Sequence, residues 1–203
     1  MSVPRSSHGI CYMDGYVYLL GGFTNNQKMT NTCERFNTAT NQCSQIAPLT
    51  HTASSLCATG FNNQFVFKFG GIGENRQLSP YIERFSTLAN SWTIIDPKIS
   101  AYENPQNFAL LSTSCCSQIN KSDILVFGGY TESNVAQKLT YVLAVDEKDD
   151  NNHTIKCINW KPLPVAEGFW NNSSYVMDNC VYALQNVPCY NTNNCLENDR
   201  KIL

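Results

Sequence analysis

The stretch VPRSSHGICYMDGYVYLLGG, from Val3 to Gly22, contains the features that decide the fold of this chain. Polar residues come first, then two runs in which apolar side chains alternate with others, and finally two consecutive glycines. Asp14-Gly15 separates the two runs, which is typical of a tight β-hairpin turn. Glycine pairs also follow the similar stretches QFVFKF and SDILVF. This recurrence predicts a repeated structural unit.

The repeat has a period of 49 to 58 residues when the first glycine of each pair is the reference. Gly21 and Gly70 are 49 residues apart, and Gly70 and Gly128 are 58 apart. A further 57 residues lead to Gln185, which follows the strand-like CVYAL but has no glycine pair. The chain therefore contains three full units and a fourth that departs from the pattern.

The register of the repeat holds after the glycines as well. Glu34-Arg35-Phe36 and Glu83-Arg84-Phe85 lie at the same distance from their glycine pairs, and Cys43 occupies the position that Trp92 has in the second unit. The third unit has YVLAVD in place of Glu-Arg-Phe, and its polar insert at 147–153 explains the longer spacing.

Each unit is predicted to form four short strands, which in the first unit are HGICYM, YVYLL, TCERFN and QCSQIA. A four-stranded unit of about 50 residues is typical of a propeller blade. Twelve residues before each reference position stands a small residue: Gly9, Ala58, Cys116 and Ser173. Strands that meet near a common axis require such a column, because large side chains would collide there. The glycine pairs are predicted to end the second strand where no Cβ fits against the neighbouring blade.

The sequence resembles the kelch repeat. The resemblance rests on Pro4-Arg5-x-x-His8, the aromatic-aliphatic strand before Gly21-Gly22, Glu34-Arg35-Phe36, and a tryptophan, Trp92 or Trp160, that closes a blade. It implies an all-β fold, a kelch-type β-propeller of about three and a half to four four-stranded blades. We expect one domain, 1–203, with blades at about 4–49, 50–97, 107–163 and 168–203.

Three and a half blades do not obviously close a ring, and an open array exposes apolar blade faces and strand edges. Three interpretations follow. Further kelch blades of a longer chain complete the ring, a second half-propeller pairs with this one, or the chain closes as a four-bladed ring.

Composition excludes several classes of partner. The formal net charge is -2 without a block of like charge, which argues against nucleic acid and against an anionic membrane surface. No apolar run approaches the roughly 20 residues of a membrane helix, and the start MSVPRSSHGI lacks the apolar segment of a signal peptide. The ten cysteines form no disulfide framework and suit buried strand positions. We therefore expect reduced thiols and a cytoplasmic location, with the cytoskeleton as one option.

No catalytic constellation is evident. His8 is expected on an inner strand, His51 in the loop before one, and His153 in the polar insert, while GxSxG and HExxH motifs are absent. A copper oxidase on a kelch-like propeller would need a Tyr-Cys pair and at least two placed histidines. We therefore expect no catalytic residue, no metal and no cofactor. The alternative is an enzyme on a kelch-like propeller, of the metal-dependent oxidase or small-molecule lyase type.

The expected function is binding of a protein or peptide through the loops at one mouth of the propeller, as in a ubiquitin-ligase substrate adaptor or a cytoskeletal scaffold. The resemblance places this site in the loops after the glycine pairs and in the residues that enter the inner strands. The first group comprises Phe23, Asn25, Asn26, Asn75, Arg76, Tyr130 and Glu132. The second group is the aligned column Arg5, Ser54, Ser112 and Phe169, with Trp170 beside it.

Overall fold

The computed structural model describes residues 1–25, 27–95, 97–98, 112, 114–131, 135, 139–146, 154–162, 174–177 and 180–183. All regular structure in these residues is β-strand, in sheets of two, four or five strands. A helix capable of spanning a lipid bilayer does not occur among them. The predicted all-β class is confirmed.

The first blade is an antiparallel sheet built from the four strands that the sequence predicts. Its strands, from the hub outwards, are β2 (Gly9–Met13), β3 (Tyr16–Leu20), β5 (Cys33–Asn37) and β6 (Gln42–Ile46). A short ribbon joins β1 (Arg5–Ser6) to β4 (Phe23–Thr24), which follows the glycine pair. The ribbon ties the segment leading into the blade to the loop after its second strand.

The other blades repeat this order. Blade two contains β7 (Cys57–Phe61), β8 (Phe65–Phe69), β9 (Ile82–Ser86) and β10 (Ser91–Ile95). Blade three contains β12 (Cys115–Gln118), β13 (Asp123–Phe127), β14 (Leu139–Asp146) and β15 (Thr154–Pro162). The described part of blade four is the hairpin β16 (Ser174–Met177) and β17 (Cys180–Ala183). Between blades two and three, β11 (Pro97–Lys98) pairs in parallel with β15 at the outer edge of blade three.

The inner strands pack side by side in chain order, β2 on β7, β7 on β12 and β12 on β16. A Cβ built on Gly9 would lie 3.6 Å from the Ala58 Cβ, so small residues meet at the hub as predicted. Cys57 Sγ lies 3.2 Å from Ser114 Oγ across the next contact. The described blades thus form an open, incomplete ring.

The alignment of the small column needs a correction in blade one. Strand pairing makes Gly9 equivalent to Cys57 and Cys115, since each lies opposite the residue before the glycine pair. Alignment with Ala58 and Cys116 is therefore wrong by one residue. The reason is the first hairpin, whose turn has one residue fewer in blade one than in blade two. Ser173 lies outside the described residues.

The glycine pair is required by its geometry. Gly21 and Gly22 have φ angles of 60° and 93°, which L side chains rarely adopt. A Cβ on Gly21 would overlap the carbonyl oxygen of Ala53 at the start of blade two, and Gly22 N donates a hydrogen bond of 2.8 Å to that same oxygen. The second strand therefore ends where the next blade approaches too closely for any side chain, as the sequence predicted.

The core lies between blades, and each blade has two faces. The front face of a blade packs on the following blade, and its back face packs on the preceding one. The core between blades one and two includes Tyr18 and Leu20 from the first front face and Val66 and Phe85 from the second back face. The rings of Tyr18 and Phe85 are 6.3 Å apart.

The core between blades two and three is built in the same way. Phe61, Phe67 and Phe69 of blade two pack in one cluster with Ile124 and Leu143 of blade three. All five side chains are buried. Two successive interfaces of this front-to-back kind hold the described blades together.

The Arg and Phe of the Glu-Arg-Phe sequence have distinct structural roles. Arg35 lies over the ring of Tyr16 at 4.7 Å, and Arg84 lies over the ring of Phe65 at 4.8 Å, both in cation–π geometry. Phe85 is buried between blades one and two. The repeated arginine therefore braces its own sheet, and the phenylalanine fills the space between sheets.

Candidate functional site

One end of the blades carries the longer loops. The strands alternate in direction, so the second strand of each blade ends at the same end where the first and third begin. The described residues at this end, which we call the loop mouth, include 2–8, 23–25, 27–32, 50–56, 72–81, 112, 130, 131 and 135. The opposite end carries the short turns within hairpins. Loops displayed on a rigid scaffold are the usual place for binding.

A cleft of about 390 Å³ opens at the loop mouth between blades one and two. Glu74 is its only acidic lining residue, and neither lysine nor arginine lines it among the described residues. Most of the lining consists of amide, hydroxyl and backbone groups. The lining residues are Asn31, Thr50, His51, Thr52, Gly73, Glu74, Asn75, Gln77, Leu78, Ser79, Pro80 and Tyr81.

His51 is held in a defined orientation on the wall of this cleft. Its ring stacks on Tyr81 with centroids 4.0 Å apart and planes 7° apart. Thr50 Oγ1 donates a hydrogen bond of 2.6 Å to Glu83 Oε2 and lies 3.0 Å from His51 Nδ1. The single proton of the Thr50 hydroxyl points to the Glu83 carboxylate, so this hydroxyl can only accept from His51. We therefore place a proton on His51 Nδ1, which donates a hydrogen bond to Thr50 Oγ1. In the neutral ring, Nε2 then carries the lone pair and can accept a hydrogen bond.

A buried lysine and glutamate support the cleft from below. Lys68 Nζ lies 3.7 Å from Glu83 Oε1, and both side chains are fully buried. Lys68 also donates hydrogen bonds of 3.1 Å to Ser79 Oγ and to the Tyr81 carbonyl oxygen. Burial lowers the pKa of Lys68 to about 8, against the opposing effects of Glu83 and Cys57. The loop that forms one wall of the cleft is therefore fixed to the sheet beneath it.

Sequence reasoning missed this network. The signal that could have revealed it is the lysine inside the apolar strand QFVFKF, at the position where blade one has Leu19. A lysine in a buried strand needs a partner of opposite charge, and the Glu-Arg-Phe sequence of the same blade supplies one.

In blades one and two, the glutamate of Glu-Arg-Phe accepts hydrogen bonds from a residue with a hydroxyl side chain. Thr50 N donates 2.8 Å to Glu83 Oε2, and Ser2 donates through its N and Oγ to Glu34 at 2.8 and 2.6 Å. Ser2 and Thr50 each lie four residues before the serine that pairs with the residue after the glycine pair, Ser6 in blade one and Ser54 in blade two. Each of them thus fixes the segment that leads into its blade. In blade two this segment continues into the wall of the cleft, through His51.

Arg5 is a structural residue of blade one. Its Nη1 donates to the carbonyl oxygens of Gly21 and Thr32 at 2.9 and 2.8 Å, and its Nη2 lies 2.9 Å from Glu34 Oε1. Burial by itself raises the pKa of Glu34, but the hydrogen bonds from Ser2 and Cys43 and the charge of Arg5 outweigh it and hold the pKa at about 2. The guanidinium of Arg5 therefore makes its hydrogen bonds and its ion pair within blade one.

The predicted column Arg5, Ser54 and Ser112 is out of register by one residue at its first member. Ser6, Ser54 and Ser112 are equivalent, because each pairs with the residue that follows a glycine pair. The cause is again the shorter first hairpin. Arg5, Ser54 and Ser112 are all buried, so these three members of the column present no exposed side chain to a partner.

The structure brings the described loop residues of the first predicted group to the loop mouth. Asn25, Asn75 and Arg76 are exposed, and Phe23 and Tyr130 are half-buried. Asn75 lines the cleft. Four further predicted residues lie outside the described part of the chain: Asn26, Glu132, Phe169 and Trp170.

The histidines do not form a metal site with other described residues. His8 precedes the inner strand β2 instead of lying in it, and burial and then the charge of Arg5 lower its pKa. His51 lies in the loop before an inner strand, as predicted, whereas His153 is outside the described residues. Within those residues, no three His, Cys, Asp or Glu side chains lie close enough to hold a metal ion.

Comparisons with known proteins agree with this architecture. Residues 4–50, which form blade one and its lead-in segment, match the family model described as "Kelch motif". The solved structure titled "Structure of YjhT" is similar over 90% of this chain, with a TM-score of 0.65 and 13% sequence identity. This chain spans 58% of that structure. No curated protein matches the sequence. The predicted resemblance is confirmed for residues 4–50, which carry a kelch motif, and the described residues have a β-propeller fold similar to that solved structure.

Proposed function

We propose that this chain is a non-enzymatic interaction module that binds a protein or peptide at the loop mouth. The observation that supports the proposal most strongly is the cleft between the loops of blades one and two, with His51 fixed on its wall by Thr50 and Glu83. Its volume of about 390 Å³ is within the range of ligand sites in proteins.

The chemistry of the cleft suits a peptide backbone. Asn31, Asn75 and Gln77 carry amide groups that can both donate and accept hydrogen bonds, as a peptide requires. His51 Nε2 accepts from an N–H group, and the exposed face of its ring can contact a flat or apolar side chain. The lining combines polar groups with the apolar surfaces of Leu78, Pro80 and Tyr81, and the cleft is open to solvent, so an extended peptide can enter it.

The location proposed for this module is the cytoplasm, in an adaptor or scaffold role. The seven cysteines that the structure describes are free thiols, which supports a reducing compartment. The near-neutral net charge of -2 supports a protein partner over nucleic acid or an anionic membrane surface.

Selection from a displayed peptide library on the purified protein tests the proposal. The affinity of a selected, fluorescently labelled peptide is then measured by anisotropy for wild type, His51→Ala and Asn75→Ala. Leu88→Ala is the matched control, because Leu88 is 98% exposed on a turn at the opposite end. Loss of one hydrogen bond and one ring contact weakens binding by about tenfold or more in His51→Ala. Equal affinity of all variants, or failure to recover any peptide, contradicts the proposal.

Elemental analysis of the same preparation separates this function from the enzyme alternative. The proposal predicts peptide binding that is unchanged by chelator and no stoichiometric copper or iron. Stoichiometric metal together with metal-dependent substrate turnover favours an enzyme on a kelch-like propeller.

A further inference from the structure

The loops that follow the glycine pairs of blades one and two fold into the same tight turn. Thr24 N donates a hydrogen bond of 3.0 Å to the Lys28 carbonyl oxygen, and Gly73 N donates one of 2.8 Å to the Gln77 carbonyl oxygen. Three places after the donor, each turn has a residue with a positive φ, 54° in blade one and 57° in blade two. The two turns therefore hold their side chains in equivalent positions, and a different residue at one position changes the chemistry of the loop without changing its backbone.

Glu74 is the residue of the blade-two turn that brings a charge to the cleft. The equivalent position in blade one holds Asn25, so an uncharged residue suits this turn as well. Glu74 is exposed and takes part in neither of the two ion pairs within the described residues. Its cationic neighbour in the turn, Arg76, does not line the cleft. The Glu74 carboxylate is thus accessible to a cation that enters the cleft.

A flat aromatic surface lies in the same cleft. The ring of His51 stacks on that of Tyr81 with centroids 4.0 Å apart, and His51 is exposed, so the other face of its ring is open to a ligand. The equivalent positions of blade one, counted from the paired serine and from the glycine pair, hold Val3 and Thr32, neither of which is aromatic. Of these two blades, blade two alone combines a carboxylate with stacked rings at the loop mouth.

We propose that the cleft selects peptides that carry an arginine side chain, with Glu74 as the residue that determines this specificity. The proposal rests on the function proposed above, since it names the kind of peptide that the cleft binds. A planar guanidinium donates to both oxygens of a carboxylate through two parallel N–H groups, and it also stacks on flat rings. It therefore matches both the Glu74 carboxylate and the open face of His51. His51 Nε2, which carries the lone pair in the neutral ring, is a further acceptor for an N–H group.

Other charged side chains fit the cleft less well. The ammonium group of lysine supplies the charge, but it cannot donate through a planar fork or stack on a ring. An acidic side chain would face Glu74 in a cleft whose described lining contains no lysine or arginine. Like charges brought together in this way disfavour binding, so acidic peptides are expected to be excluded.

Parallel selection from a displayed peptide library on wild type and on Glu74→Gln tests the proposal. Arginine is expected to be enriched at one position of the peptides selected on wild type, and this enrichment should be lost on Glu74→Gln. Asp14→Asn is the matched control, because it removes the same charge from an exposed position in the turn between β2 and β3, at the opposite end. It should keep the enrichment. Circular dichroism of each variant shows that the blades stay folded.

The affinities of a selected peptide and of its citrulline counterpart measure the contribution of the charge. Citrulline keeps the length and the planar end of arginine but is uncharged. By fluorescence anisotropy, wild type should bind the arginine peptide about five to ten times more tightly than the citrulline peptide, and Glu74→Gln should bind both equally. A peptide with lysine at this position should bind wild type more weakly than the arginine peptide. High salt should reduce the preference for arginine over citrulline.

The outcomes separate this specificity from the proposed function. Failure to recover any peptide on wild type contradicts peptide binding, and the specificity with it. Peptides recovered without enrichment of arginine, or with an enrichment that persists on Glu74→Gln, leave peptide binding standing and overturn the role of Glu74. Equal affinity of wild type for the arginine and citrulline peptides overturns it as well. Equal affinity for the lysine and arginine peptides overturns the choice of arginine.

Discussion

Replacement of Arg5 by methionine should destabilise the protein strongly, because it separates a buried ion pair. Arg5 is 9% exposed and Glu34 is 2% exposed. Methionine fills much of the same space but cannot donate to Gly21 O, Thr32 O or Glu34 Oε1, which Arg5 contacts at 2.8 to 2.9 Å. Glu34 then keeps its charge with the hydrogen bonds from Ser2 as its main compensation.

The magnitude follows from removing one partner of a buried pair, which costs about 3–5 kcal/mol. The free energy of unfolding of a domain is only about 5–15 kcal/mol. With an m-value of about 3 kcal/mol per molar urea, the midpoint of unfolding should fall by about 1 to 1.7 M. An exposed ion pair would change it by less than about 0.3 M.

A double-mutant cycle in urea provides the assay. Glu34→Gln removes the charge that Arg5 compensates, so Arg5→Met should cost about 2 kcal/mol less in that background than in the wild type. Equal costs in both backgrounds would show that the pair is not coupled. A midpoint shift below about 0.3 M for Arg5→Met alone would refute the assignment of Arg5 to the interior.

Three further predictions concern the glycine pair, the buried glutamate and the cleft. Gly21→Ala should lower stability by at least 2 kcal/mol more than the control Gly15→Ala, whose φ of 77° is similar but whose Cβ would meet nothing within 4 Å, as measured by urea unfolding. The Glu34 pKa of about 2 is below its usual 4.5, so its stabilising contribution is present above pH 4.5 and is lost as the pH falls towards 2; Glu34→Gln should flatten this part of the curve of midpoint against pH. Thr50→Val removes the hydroxyl that orients His51 and its hydrogen bond to the buried Glu83 carboxylate but keeps the backbone donor, so affinity for a selected peptide and thermal stability should both fall; an unchanged affinity of the folded variant would argue against this role.

Much of the fold is predictable from the sequence because it depends on local patterns that repeat. The glycine pair sets a left-handed turn at the end of the second strand, and alternation sets the strands on both sides. The aligned column failed at Arg5 because counting from the glycines assumes hairpins of equal length, and the turn at Asp14-Gly15 is one residue shorter than the one in blade two. A single residue moves a side chain from one face of a strand to the other.

The candidate site was predictable only in part. Asn75 was identified because it follows a glycine pair, and it lines the cleft. His51 was placed in the right loop but given no role, since its orientation depends on Glu83, which is distant in sequence. The crossing of β11 to blade three was not predicted either, because a two-residue strand has no periodicity.

The described blades stand side by side around a hub, with their inner strands in contact. The most direct test is the set of nuclear Overhauser contacts between β2 and β7 in solution. Cross-peaks are expected from the Ala58 methyl group to the Gly9 α-protons, and from the Gly60 α-protons to the Met13 side chain. If these cross-peaks are absent while contacts within each sheet, such as Gly9 to Leu20, are present, the sheets form without packing around a hub, which contradicts the propeller arrangement.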